Sequence, residues 1–209
     1  MKKAGFIFSG VSLSFLLYFF VRNMSVYVSI LGENLKGTLI WAFNNEVYNL
    51  CFVALGVAAV LKSFYTLKKS AVICRYIAAA FAFAHLVCYV WGKIEINRFT
   101  SSMTGSPKFF DTNLLEMQDE ITAVVFVLLI ACCLLKDSFV KIKWCLAIIC
   151  TVVFIFAGII PFLLLLKFND TITLRFVLNL VVSNFCYGAV ILTGLSPIKE
   201  DENEQGENV

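Results

Sequence analysis

Histidine is almost missing from this chain: His85 is the one copy in 209 residues. Charge is scarce too, at 15% of residues, and proline occurs three times. Each shortage excludes something. One histidine cannot build the multi-histidine centres of membrane oxidases or an H-E-x-x-H metal helix. None of the eight cysteines forms a C-x-x-C pair, so quinone-linked thiol oxidases and zinc sites lack their ligands. There is no E-E-x-x-R helix, no G-x-S-x-G nucleophile turn and no glycine-rich phosphate loop. The positive residues are scattered and form no basic tract, so nucleic acid is not an expected direct partner. The chain reads as a non-enzyme, with no catalytic residue, cofactor or metal expected.

What is present is apolar. Hydrophobic residues make up 60% of the chain, 21 of them phenylalanine, and the mean hydropathy is +0.88. A soluble domain is nearer half apolar and a quarter charged, and a fold of this size has too little interior to hide the excess. The expected solvent is therefore a lipid bilayer. The cysteines lie in or beside apolar segments, which fits small packing residues. The polar loops carry none, which argues against a disulfide framework.

A bilayer core of about 30 Å takes about 20 apolar residues per helix. Runs of this kind occur at 4–21, 47–67, 71–92, 119–135, 144–166 and 172–195. The fold class expected is all-α: a polytopic membrane helix bundle over 1–195 with six transmembrane helices, or four to five if the shorter runs do not cross. The first run lacks a small-x-small cleavage site and reads as a retained anchor. With the N-terminus inside, the short inner loops and the tail hold ten of the 17 lysines and arginines. The positive-inside rule then places both termini in the cytoplasm of a bacterial inner membrane. Two outer loops are expected, at 23–46 and 93–118. The first mixes Val26, Tyr27, Ile30, Leu31 and Trp41 with polar residues, as an interfacial helix does. The second carries the breakers Gly105 and Pro107 before a helical "LLEMQDE". Residues 196–209 read as an acidic, disordered cytoplasmic tail.

Polar groups in a membrane interior are costly and often mark function. On the sixth run Arg175, Asn179, Ser183 and Cys186 share a helical face, with Asn184 beside it. On the third, Arg75, Ala78, Ala82, His85 and Tyr89 share another. His85, Arg175, Asn179, Ser183 and Asn184 are the candidate intramembrane polar face, with His85 expected to hydrogen-bond the sixth span through Asn179, Ser183 or Asn184. Ala78–Ala82 and Ala80–Ala84 are small-xxx-small pairs that let a neighbour approach. Gly5, Ser9 and Ser12 make a small face on the first run, and Gly56 with Ala59 on the second. Gly158 and Pro161 should kink the fifth.

These observations favour a non-enzymatic inner-membrane protein acting through protein–protein interaction, as a homo-oligomer or with a partner protein. Membrane components of antiviral defence, exclusion and toxin-immunity systems are of this kind. The alternative is a small transporter or channel subunit with the sixth-span face as its track.

Overall fold

The computed structural model describes residues 2–30, 35–104, 114–168 and 174–198. Six α-helices occupy nearly all of them: α1 (Lys2–Ile30), α2 (Leu35–Leu61), α3 (Lys68–Thr104), α4 (Leu114–Leu134), α5 (Val140–Phe168) and α6 (Leu174–Leu195), with a 3-10 turn at Tyr65–Leu67 before α3. No strand occurs among the described residues.

Several helices outrun the apolar segments that announced them. Residues 23–30 and 35–46 of the expected outer loop are helical, and α3 carries on past residue 92 to Thr104. Charge interrupts apolarity, but it does not interrupt the backbone ladder. Arg22, Lys93, Glu95 and Arg98 sit inside helices, and the expected breakers Gly105 and Pro107 lie outside the described residues. At its other end α2 stops at Leu61, six residues before the run ends, and Lys62 lies outside it. The expected kink at Gly158 and Pro161 falls inside α5, which remains helical through both. The tail from 199 onward lies outside the described residues.

Helices α2 to α6 pack in a closed ring, each against its neighbours in chain order, with α6 returning to α2. Contacts fix the directions. Tyr48 meets His85 while Lys62 lies by Arg75, and Phe126 meets His85 while Asp137 bonds Arg75, so α2, α3 and α4 alternate. Cys150 reaches Val125 and Cys132 the Lys143 carbonyl, while Asn184 fills the place of a Gly158 side chain and Gly188 abuts Ile155, so α4, α5 and α6 alternate as well. A ring of five cannot alternate throughout. Asn49 bonds Tyr187 and Leu55 abuts Gly194, so α2 and α6 run parallel. Helix α1 packs against both of them in the opposite direction, with Phe6 on Phe64 and Leu13 on Gly56. Gly194 allows the parallel contact, because a Cβ there would stand 2.7 Å from the Leu55 carbonyl oxygen.

Small buried residues set the spacing: Ser9 and Ser12 on α1, Ala58 and Ala59 on α2, Ala78, Ala79 and Ala82 on α3, and Ala147 on α5. Ala80 is exposed, so of the two alanine pairs the Ala78–Ala82 pair is the one in the interior. The outside is apolar. Phe8, Val11, Ile73, Phe83, Trp91, Val127, Ile148, Phe156 and Phe185 are all exposed. The stretches Lys68–Glu95 and Val140–Ile159 are long and apolar enough to cross a membrane, with only 28% and 33% of their most apolar windows buried. The apolar stretches Phe6–Arg22, Val47–Leu61, Glu120–Leu134 and Leu180–Leu195 are shorter.

Candidate functional site

The ring has two distinctive places: its axis, and the end where α2, α4 and α6 finish. On the axis every ring helix contributes an aromatic ring. Tyr48 and Phe52 come from α2, His85 from α3, Phe126 from α4, Phe154 from α5 and Tyr187 from α6. Phe52 lies 4.9 Å from Tyr187, 5.3 Å from Phe154 and 5.8 Å from Phe126, centroid to centroid. Tyr48 bridges Phe52 at 5.0 Å and His85 at 5.5 Å. Most of these pairs meet edge to face, the arrangement that ring quadrupoles favour. The Tyr187 hydroxyl donates to Asn49 Oδ1 at 2.9 Å, tying α6 to α2. The axis is therefore filled with side chains.

His85 lies on the inward face of α3 with Arg75, Ala78 and Ala82. The sequence pointed it at the sixth span. The structure packs its ring on Phe126 of α4 at 4.5 Å and on Tyr48 of α2. Helix α2 stands between α3 and α6 in the ring, so α6 enters this cluster through Tyr187 instead. Of the other candidates, Ser183 donates to the Leu180 carbonyl within its own helix at 3.0 Å. Asn184 occupies the notch left by Gly158, overlapping the space a Cβ would take. Cys186 is buried and pairs with the Ser12 hydroxyl of α1. Arg175 and Asn179 belong to α6, and their side chains lie outside the described residues.

The second place was not among the sequence candidates. Arg75 is 1% exposed and Lys143 is equally buried. Two hydrogen bonds, 2.9 and 3.1 Å, join Arg75 Nη1 to the Asp137 carboxylate. Arg75 also donates through Nε to the Gly194 carbonyl at 2.8 Å and through Nη2 to the Ser196 carbonyl. Lys143 Nζ reaches Asp137 at 2.9 Å and donates to the Leu135 carbonyl at 2.7 Å. Lys62 donates to the Thr193 carbonyl and to Ser196 Oγ. The Ile198 amide donates to Asp137 at 3.2 Å.

Three cations thus surround one carboxylate. Helix ends supply the missing negative charge. Helices α2, α4 and α6 all end here, and each C-terminus carries roughly half a negative charge. Burial pushes the Asp137 carboxyl upward, but Arg75, the Lys143 hydrogen bond and charge, and the Ile198 amide together hold it below its ordinary value. Burial draws the Lys62 ammonium down to about 7, helped by the charges of Arg75 and Lys143 and opposed by Asp137. Beneath the cluster lies the Cys132 thiol, 3.7 Å from the Lys143 carbonyl and 4.0 Å from that of Leu195.

One signal for this cluster was in the sequence. Arg75 sits within the apolar run 71–92, and an arginine there needs a counter-ion. Asp137 is the acid available in the turns at the same end. All eight cysteines are free thiols. Among the described residues no three histidine, cysteine or acidic side chains converge to hold a metal ion. Compared with known protein families, curated proteins and solved structures, the chain matches none.

Proposed function

We propose that this is a multi-pass membrane protein, with all six helices crossing the bilayer, that works by contact with other proteins and not by catalysis. The observation that carries this reading is a ring with an apolar perimeter and an aromatic-filled axis. Such a body offers surfaces to lipid and to other helices. Among the described residues its centre is occupied by packed rings, with no lined track. Ser183 and Asn184, on which a transport reading would rely, are taken up in helix packing. The same body suits a component of an antiviral defence, exclusion or toxin-immunity system in a bacterial inner membrane. The exposed lysines Lys69, Lys136 and Lys141 lie at the clustered end, which supports placing that end, and both termini, in the cytoplasm.

The test is crosslinking in the membrane of a C-terminally tagged copy at native expression, followed by mass spectrometry. A second protein in fixed ratio supports the interaction reading and names the pathway. Self-crosslinked oligomers alone, together with ion or solute flux that is lost in Asn179→Ala, would replace it with the channel reading.

A further inference from the structure

We propose that Lys62, Arg75, Lys143 and Asp137 form a latch on the end of α6, and that opening this latch takes up one proton at Lys62. Three arms of the cluster grip the same short segment, and Lys143 braces the Asp137 carboxylate from α5. Arg75 holds the carbonyls of Gly194 and Ser196. Lys62 holds Thr193 and Ser196, and Asp137 holds the Ile198 amide. The grips come from α3, from the residue after α2 and from the α4–α5 turn, so the segment 193–198 locks three parts of the ring together. Cys132 reports on the latch, because the Leu195 carbonyl lies over its thiol. Lifting the α6 end uncovers it.

The proton follows from the charge arrangement. Lys62 faces Arg75 from α3, Lys143 from α5, Asp137 from the α4–α5 turn, and Thr193 and Ser196 from α6. From α1 its neighbourhood receives the Phe6 ring, stacked edge-on against Phe64. Burial and two cations, offset in part by one carboxylate, therefore oppose a charge on Lys62 while the latch is shut, consistent with its ammonium being drawn down to about 7. Once open to water, Lys62 returns to an ordinary lysine value of about 10.4. Between those two values opening binds one proton, so the open fraction falls about tenfold for each pH unit gained. Below about 7 both states are protonated, and Lys62 adds no further pH dependence.

The experiment uses the full chain in lipid nanodiscs. Iodoacetamide labelling of Cys132 is followed by peptide mass spectrometry at about pH 7.5 and about pH 9, with the exposed Cys145 as internal reference for thiol reactivity. The Cys132-to-Cys145 rate ratio is expected to fall on the order of thirtyfold across that interval. In Lys62→Met and in Lys62→Gln the ratio is expected to be flat. A flat ratio in the unaltered chain overturns the proposal, and so does a slope that survives in either variant.

Discussion

Arg75 and Asp137 lie 62 residues apart in sequence and are joined by two hydrogen bonds of 2.9 and 3.1 Å, with Lys143 on the same carboxylate at 2.9 Å. Removing the carboxylate leaves two buried cations facing each other. Asp137→Ala is therefore expected to cost about 3–5 kcal/mol, the usual effect of breaking a buried pair on one side. Unfolding in mixed micelles with increasing denaturing detergent measures it. A loss below about 1 kcal/mol would mean that the helix ends alone balance the cations.

Acid should act on the same group. The folded carboxyl of Asp137 titrates below its unfolded value, so the unfolded chain binds more protons as pH falls through the carboxylate range. The stabilisation is complete above about pH 4 and is lost below it. A melting-temperature series from about pH 6 to about pH 3 should show this limb. Asp137→Asn should flatten it.

Gly194 has a backbone neighbour that cannot yield as a side chain would. A methyl there meets the Leu55 carbonyl oxygen at 2.7 Å and pushes α6 from α2. Gly194→Ala should cost about 1–3 kcal/mol, the range for overpacking. It should also raise Cys132 labelling, since the Gly194 carbonyl is one of the groups Arg75 holds. Gly10, with open space around its Cβ direction, is the control: Gly10→Ala should be neutral or slightly stabilising.

On the axis, Tyr187→Phe keeps the ring and removes the bond to Asn49. A loss of about 0.5–2 kcal/mol is expected, the range for interhelical hydrogen bonds in membrane helix bundles. Asn49→Ala should cost a similar amount, and the double variant should cost less than the sum, in a cycle read by the same detergent titration.

His85 packs on Phe126 and Tyr48, so ring contact is what a substitution removes. His85→Leu is expected to lose about 0.5–1.5 kcal/mol, and His85→Gln to leave partner crosslinking intact. Abolished crosslinking in a folded His85→Gln protein would assign the imidazole a role beyond packing.

The six helices were legible because apolar runs of helical length stand out in any composition. Their ends were less so, since a charge such as Arg22 or Glu95 breaks an apolar run without breaking a helix. The inward face of α3 was legible from the spacing of Arg75, Ala78, Ala82 and His85. Its partners were not, because which helix lies next to which is a property of the closed ring and leaves no local trace. Arg75 shows the same limit. Its position between loop and span made it look like a topological charge, and its bond to Asp137 exists only because two turns distant in sequence are brought to one end. Asn184 was legible as a polar residue inside an apolar helix, but the notch at Gly158 that receives it belongs to another helix.

Five is an odd number, and the parallel seam between α2 and α6 is the result. The helix lying along that seam is the first in the sequence, and half of its seat is the last. During synthesis α1 meets α2 early and then waits until α6 has been made before its second side is covered. Its exposed Phe8 and Val11 face outward at the end, but Ser9 and Ser12 stay open to exchange until the ring is complete. A chain stopped before α6 would therefore lose more than one helix: it would leave the first one half-seated, with both ends of the sequence undone at once.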